Sequence, residues 1–276
     1  NSYYQWGIYY RKDIFDALEL EEPQTWDELL AACGAMKEVG VTPFTIGTQF
    51  LWTAAGVFDY INLRTNGYDV HNALTAGEIA YTDPRIVQTF ANWEELINEC
   101  GFVENHASMS WQDALAPFVN GDAGMYVMGN FAVAAMKDAG LTNDQIDYFP
   151  FPSINPDVAR AEEAPADAFF IPTNAENVED AKKFLAFVAR ADVQSTWNEA
   201  IGQLPPNSEA TVSEDKFIQE GFATVSTAAG LAQFYARDAP AAMASEGMKG
   251  FQEFMLDPSK KMEILERLDE VQAEVY

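Results

Sequence analysis

Residues 6–15 read WGIYYRKDIF, and residues 23–29 read PQTWDEL. In the second stretch Thr25 is followed three residues later by Glu28, which is the spacing of a capping box that satisfies the free amide groups at a helix start. Apolar residues then recur at helical spacing from Trp26 to Met36, and Gly40 supplies a stop signal. The sequence therefore predicts a helix that begins close to residue 26.

Working outward from this helix, short apolar runs alternate with segments of helical periodicity, a pattern that indicates layers of α and β structure. Helices are predicted from Asp83-Pro84 to Gly101, from Ser110 towards Gly121, and over Phe131–Ala139, Asn177–Ala189 and Asp192–Ile201. Strands are predicted over Ala123–Met128, Ile146–Phe149 and Ala168–Ile171. From about Ser213 we expect only helices, with breaks near Ala236–Pro240 and at Asp257-Pro258.

The charge balance excludes several classes of partner. The 276 residues carry 16 Lys and Arg against 43 Asp and Glu, a net charge of −27. A field of that sign repels phosphate backbones and anionic lipids, so we expect no nucleic acid and no polybasic membrane patch. The acidic residues are spread along the chain, which favours an acidic solvated surface and, as a hypothesis, a salt-rich habitat.

The sequence contains no apolar run near the 20 or so residues that cross a bilayer, and its first residues lack the pattern of a signal peptide. The cysteines are Cys33 and Cys100, which have no CxxC spacing. Both lie on apolar stripes near predicted helix ends, so we expect buried free thiols, with a disulfide as the open alternative.

Catalytic signatures are scarce. There is no GxSxG elbow, HExxH, P-loop or GxGxxG motif, and His71 and His106 are too far apart to indicate a shared metal site. Adjacent acidic pairs such as Glu162 and Glu163 point in different directions on a helix and identify no glycosidase dyad. We therefore expect no catalytic residue, no metal and no cofactor.

Aromatic residues make up 13% of the chain, and several stand outside helical stripes. Aromatic faces in a cleft suit sugar rings, which combine apolar C–H faces with hydroxyls that need directed hydrogen bonds. The alternative for each is an ordinary core position. The residues concerned are Trp6, Tyr9, Phe50, Trp52, Phe131, Phe234 and Tyr235.

Several stretches in series resemble the extracellular solute-binding proteins of sugar ABC importers (family 1), the group that includes maltose-binding protein. The first two are residues 6–15, where Arg11 replaces the usual asparagine, and residues 23–29. The others are residues 118–131, 181–187 and 202–206. The resemblance implies a two-lobed α/β fold, the type II periplasmic-binding-protein fold, that clamps its ligand between lobes joined by hinge strands.

The resemblance also implies a division of the chain. Residues 1–10 correspond to a hinge strand, residues 11–165 to the first part of the second (C-terminal) lobe, and residues 166–226 to a segment of the first (N-terminal) lobe. Residues 227–276 correspond to a hinge and C-terminal helices packing on the second lobe. We therefore expect a complete, helix-rich second lobe and only part of the first. The missing start is expected to hold the secretion signal of a periplasmic or membrane-anchored extracellular protein.

Carried over by position, Phe131 stands where many relatives place a stacking tryptophan, with Asn130 beside it, and Trp52 with Phe50 offers a second aromatic wall. Asp167 lies just before the predicted strand Ala168–Ile171, which in the family returns the chain to the first lobe. Some relatives have a tyrosine–aspartate–arginine–aspartate run near Arg237, and Ala236 interrupts that run here. Together with the aromatic positions, the expected ligand contacts are Trp6, Tyr9, Phe50, Trp52, Asn130, Phe131, Asp167, Gln233, Tyr235 and Arg237.

The function that this resemblance implies is carbohydrate binding without chemistry, by closure of two lobes, and delivery to the permease subunits of an ABC importer. The alternatives are a carbohydrate-active hydrolase with a carboxylate pair and an acidic interaction domain without a small ligand. We also expect that an unprotected edge at Ala168–Ile171 allows self-association.

Overall fold

The computed structural model describes all of residues 1–276. Its eight strands form three sheets: a four-stranded sheet in the order β3-β4-β2-β5, and two pairs, β1-β7 and β6-β8. The strands are β1 Ser2–Tyr3, β2 Trp6–Arg11, β3 Thr42–Thr45, β4 Ala123–Gly129, β5 Ile146–Phe149, β6 Ala161–Glu163, β7 Ala166–Asp167 and β8 Gly230–Ala232.

Thirteen α-helices and two short 3₁₀ turns, His106–Ser108 and Pro258–Lys260, complete the fold. The helices are α1 Lys12–Ala17, α2 Trp26–Glu38, α3 Trp52–Asn66, α4 Tyr68–Thr75, α5 Pro84–Glu99, α6 Leu115–Asn120, α7 Ala132–Asp138, α8 Val178–Val188, α9 Ala191–Ile201, α10 Lys216–Ser226, α11 Tyr235–Asp238, α12 Ala241–Leu256 and α13 Lys261–Val275. The chain thus has the α/β, helix-rich architecture that the sequence predicts.

The four-stranded sheet is built around β2, every residue of which is buried. It pairs antiparallel with β4, Trp6 opposite Gly129, and with β5 on its other side, while β3 pairs parallel with β4. The capping box predicted for α2 is present, because Thr25 accepts from the Glu28 amide and the Glu28 carboxylate accepts from the Thr25 amide. The predicted strands at 123–128 and 146–149 are confirmed as β4 and β5.

Helix α3 is buried on all sides between the sheet, α5 and α12. Its Phe58 ring stacks on Phe251 of α12 at 4.2 Å between centroids. Near its other end Arg64 donates to the Phe151 carbonyl and to the Glu162 carboxylate. Because α3 is buried on every side, it has no face turned to solvent and lies at the centre of the packed helices and the sheet.

The main apolar core draws its buried members from residues 4–151 and 217–268, and residues 152–216 contribute none of them. Helix α8 has no buried residue, and Phe184 and Phe187 on it are about half exposed. This segment is attached through β6, which pairs with β8, through β7, which pairs with β1, and through a smaller apolar cluster around Leu204.

Three predicted elements are wrong. Ala168–Ile171 is not a strand, because β7 ends at Asp167 and no neighbouring strand pairs with the segment that follows; Phe170 is 81% exposed. The strand edge on which we based self-association is therefore absent. The helix expected from Ser110 begins only at Leu115, after a turn closed by hydrogen bonds from Ser110 to the Asp113 carboxylate. The chain after 213 is not wholly helical, since β8 pairs with the distant β6.

Cys33 and Cys100 form a disulfide, so the expectation of free thiols is wrong. Their Cα atoms lie 4.9 Å apart because the end of α5 packs beside α2, a tertiary contact that no local spacing reveals. The bond closes a loop across 67 positions of sequence. No helix in the structure combines the length and apolar character needed to span a membrane.

Candidate functional site: an aromatic cavity beside the central sheet

A cavity of about 340 Å³ opens beside the start of β2 and the start of α3. Five of its eight lining residues are aromatic, and Arg237 is its charged member. The lining consists of Tyr4, Trp52, Ala55, Trp111, Phe131, Phe234, Ala236 and Arg237. A concave, mostly apolar site with a few polar groups is the usual form of a small-molecule binding site.

Trp6 lies behind this lining and orients it. The fully buried Trp6 indole meets Phe234 at 5.1 Å, Trp52 at 5.7 Å and Phe131 at 6.4 Å between ring centroids, each time edge to face. Trp111 meets Phe131 in the same way at 5.4 Å. In an edge-to-face contact each ring restricts the orientation of its neighbour. The ring faces of Trp52, Phe131 and Phe234 are therefore oriented before any ligand binds.

Two glycines make room for the Trp6 indole. A Cβ at Gly56, on α3, would lie 2.6 Å from that indole, and a Cβ at Gly129 would lie 2.7 Å from its Nε1 and 2.5 Å from the Phe131 ring. Only a residue without a side chain permits these approaches. The chain reaches the first residue of α3, Trp52, through Leu51, whose φ of 69° turns it sharply.

The polar side of the cavity is the helical turn at residues 234–237, which consists of Phe234 and the first three residues of the short helix α11. The Arg237 guanidinium lies 5.2 Å from the centroid of the Phe234 ring, in a cation–π arrangement. Its Nη1 donates to the Ala166 carbonyl at 3.2 Å and to the Asp167 carboxylate at 3.0 Å. Burial raises the pKa of Tyr4 to about 12, an effect that the nearby Arg237 charge partly opposes. The phenol of Tyr4 is therefore a neutral hydrogen-bonding group at neutral pH.

Of the ten predicted contacts, the structure brings five together here. Trp52, Phe131 and Arg237 line the cavity, Trp6 lies directly behind it, and Asp167 is bonded to Arg237. Whether any of them touches a ligand stays a prediction.

Asn130 faces another space. Its side chain is buried, and neither its amide nitrogen nor its carbonyl oxygen has a hydrogen-bond partner. It lines a neighbouring cavity of about 170 Å³ between α7 and α10, together with Lys137 and Asp215, which pair with each other at 2.9 Å.

Four predicted contacts lie elsewhere. Tyr9 and Tyr235 are fully buried, Tyr9 packing on Phe217 and Tyr235 bonding through its hydroxyl to Tyr81. Phe50 is 61% exposed on the turn before α3, outside the lining. Gln233 is also outside it, and its Oε1 accepts from the Phe234 amide. Two of these four residues lie in the core, one lies on the surface and one lies just before Phe234, and their part in ligand binding stays a prediction.

The sequence analysis did not name Tyr4 or Trp111, and it named Phe234 as a candidate aromatic but not as an expected contact. Phe234 and Tyr235 are neighbours, and the turn sends the first to the cavity and the second to the core. Tyr4 and Trp111 are far apart in sequence and meet only through the tertiary fold. No cluster of three or more His, Cys, Asp or Glu side chains is placed to hold a metal ion. His71 is buried and His106 bonds to Thr48 through Nδ1, in a different part of the molecule.

Comparison with known proteins agrees with this architecture. Residues 1–195 match the family model described as bacterial extracellular solute-binding protein. An uncharacterised ABC transporter extracellular-binding protein of Pyrococcus horikoshii is 31% identical over 222 residues, covering 78% of this chain and 48% of that protein. The multiple sugar-binding protein of Streptococcus mutans is 26% identical over 219 residues, covering 76% of this chain and 50% of that protein.

Among solved structures, the bacterial solute receptor AcbH, described as having an exclusive preference for β-D-galactopyranose, superposes with a TM-score of 0.82 at 28% identity. The superposition covers 99% of this chain and 71% of that one. The chain spans about half the length of the curated relatives named above. These matches confirm the resemblance drawn from residues 6–15 onward, and the chain belongs to the bacterial extracellular solute-binding protein family.

Proposed function

We propose that the protein binds a carbohydrate in the aromatic cavity and presents it to the permease subunits of an ABC importer outside the cytoplasm. The observation that carries the proposal is the cavity itself, in which Trp52, Trp111 and Phe131 surround about 340 Å³ with Arg237 at one side. Family membership and the sugar ligands named for the Streptococcus mutans relative and for the galactose receptor support it.

The chemistry of the lining suits a sugar. The aromatic faces take the apolar C–H faces of a pyranose ring, and the edge-to-face contacts behind them keep those faces fixed. Hydroxyls need directed partners, which the Arg237 guanidinium and the Tyr4 phenol supply as donors. The volume lies within the range of small-molecule sites.

We propose binding without turnover. A glycosidase needs two carboxyl groups flanking the scissile bond, and no Asp or Glu is among the residues that line this cavity. The Asp167 carboxylate, which is bonded to the lining residue Arg237, is already engaged by that ion pair. The hydrolase alternative thus gains no support from the site.

The division of the chain into lobes is part of the same proposal. In this division residues 166–226 belong to the first lobe, and residues 11–165 with 227–276 form the second. The separate small cluster of Leu204, Ile218 and Val225 and the absence of residues 166–216 from the main buried core support it, whereas Phe217 belongs to the main core. Ligand contacts from both lobes would then favour a closed state.

Titration calorimetry tests the proposal. D-Galactose, raffinose and a panel of neutral mono- and disaccharides are titrated into the chain, and a glycoside substrate is incubated with it in parallel. We expect saturable binding of at least one sugar and no release of product. Heat of dilution alone across the whole panel would contradict the proposal, and turnover of the glycoside would favour the hydrolase.

A further inference from the structure

The link between β4 and α7 contributes to two cavities. Phe131 lines the aromatic cavity, and Asn130, the residue before it, lines the cavity of about 170 Å³. The backbone of Asn130 is engaged, because its amide donates to the Gln5 carbonyl at 3.1 Å and its carbonyl accepts from the Val133 amide at 3.0 Å. The side-chain carboxamide is therefore the part of Asn130 that is left to bind a ligand.

That carboxamide is buried without a partner. Asn130 is 2% exposed, and neither its Nδ2 nor its Oδ1 atom has a hydrogen-bond partner. Buried polar groups are almost always hydrogen-bonded, because an unpaired one has lost its bonds to water and gained none in exchange. At a purely structural position a leucine, which has nearly the same shape, avoids that cost. A carboxamide here therefore calls for a partner in the cavity.

The lining of this cavity is half apolar. Its polar members include, besides Asn130, the Ser213 hydroxyl and the ion pair of Lys137 with Asp215, which spans 2.9 Å. Its apolar members are Val133, Ala134, Ala200, Ile201, Phe217 and Ile218. Water gains little beside such a wall, since an ordered water needs about two to four polar partners. A small polyol suits both halves, because its C–H groups pack on apolar side chains while its hydroxyls donate and accept.

The charges around the cavity favour a neutral ligand. Lys137 is paired with Asp215, and its Nζ lies 5.3 Å from the centroid of the Phe217 ring, so its charge is already engaged. The carboxylate of Glu199, which also lines the cavity, disfavours an anion. A carboxamide binds two neighbouring hydroxyls together, since Oδ1 accepts from one and Nδ2 donates to the other. One vicinal diol therefore satisfies both unpaired atoms of Asn130.

The cavity lies where two parts of the chain meet. Helix α7 follows β4 of the central sheet directly, whereas residues 199–202 end α9 and residues 213–218 lead into α10. A ligand in the cavity contacts both parts. No residue lines both this cavity and the aromatic one.

We propose that this cavity is a second ligand site, in which the Asn130 carboxamide binds the vicinal hydroxyls of a small neutral polyol. The ligand joins α7 to the end of α9 and the start of α10. The site is separate from the aromatic cavity and does not depend on the function proposed for it.

The test titrates erythritol into the ¹⁵N-labelled chain and follows the Asn130 side-chain amide and the Gly202 backbone amide by ¹H–¹⁵N NMR. Butane-1,4-diol is the matched probe, because it has the same four carbons but no vicinal hydroxyls. We expect saturable shifts with erythritol at millimolar concentration, none with butane-1,4-diol, and intermolecular NOEs from the erythritol C–H protons to the methyl groups of Val133 and Ile201.

The matched variants are N130L and N143L. Asn143 is exposed and lies outside the cavity, so N143L should bind erythritol as the unmodified chain does. N130L should weaken the binding at least about tenfold, read from the Gly202 amide. Equal binding by N130L and N143L overturns the proposal.

The unmodified chain keeps the test decisive if N130L does not fold. The absence of saturable shifts up to about 100 mM erythritol, or NOEs confined to other parts of the protein, overturns the proposal. Sugar binding in the aromatic cavity without erythritol binding here contradicts this inference alone. Erythritol binding here without any sugar binding there contradicts the proposed function alone.

Discussion

The Nη1 atom of Arg237 lies 3.0 Å from Oδ1 of Asp167, at the side of the aromatic cavity. Both side chains are more than a third exposed, so the pair itself contributes little to folding. The ion pair fixes the Nη1 atom of the Arg237 guanidinium, and the guanidinium carbon lies over the Phe234 ring. The ion pair with Asp167 therefore keeps the positively charged Arg237 side chain beside the candidate ligand site.

The first prediction concerns this cation. R237M should weaken sugar binding roughly tenfold to hundredfold, because a hydrogen bond to a charged group contributes about 1.5–3 kcal/mol. D167N should change the affinity less than about fivefold, since it removes only an exposed ion pair. Titration calorimetry of both variants checks this. A larger effect for D167N than for R237M would show that the carboxylate is the ligand contact.

The disulfide supplies a prediction about stability. Replacing Cys33 and Cys100 by serine should lower the free energy of unfolding by about 4 kcal/mol, because the bond constrains a long loop in the unfolded chain. Urea denaturation with and without reductant measures the effect. Reductant should destabilise the unmodified chain and leave C33S/C100S unchanged. Equal unfolding midpoints for all four samples would mean that the bond does not form.

His71 should make the protein sensitive to acid. Burial lowers the pKa of its imidazole to about 4, so between about pH 6.5 and 4 the unfolded chain binds a proton that the folded chain does not. Stability should therefore fall by roughly 3 kcal/mol as the pH drops through that window. Urea midpoints at pH 7.5 and 4.5 measure the loss. H71Q should lose less stability on acidification, and an equal loss would assign the effect to other groups.

The net charge of −27 predicts a response to salt. Raising NaCl from 0.01 M to 1 M shortens the screening length from about 30 Å to about 3 Å, which relieves repulsion among surface carboxylates. The thermal midpoint should therefore rise across this range. Sorbitol at equal osmolarity controls for solvent exclusion. A midpoint that stays level in salt, or rises as much in sorbitol, would contradict the electrostatic explanation.

Much of the fold was predictable where the signals are local. The capping box at Thr25 and Glu28 and the apolar stretches that form β4 and β5 need no distant partner to be recognised. Helix α3 was not predicted from periodicity, because a helix buried on every side has no polar face to mark its period. Strand β6 was not predicted either, since its Glu162 and Glu163 take their places only through buried tertiary contacts.

The residues of the candidate site also divide into those that the sequence marks and those that only the tertiary fold brings together. Trp52, Phe131 and Arg237, whose positions the family resemblance marks, line the candidate cavity. Phe234 was a candidate aromatic but was left out of the expected contacts in favour of Tyr235, because only the actual backbone of α11 decides which of two adjacent aromatics faces the cavity.

The most direct test of the account is the affinity of the bound sugar for W52A and F131A, measured by titration calorimetry beside the unmodified chain. F50A is the matched control, because Phe50 is an exposed aromatic two residues from Trp52 but outside the cavity. We predict that W52A and F131A each weaken binding about tenfold or more, while F50A binds as before. Unchanged affinity in both cavity variants would contradict the assignment of the aromatic cavity as the ligand site.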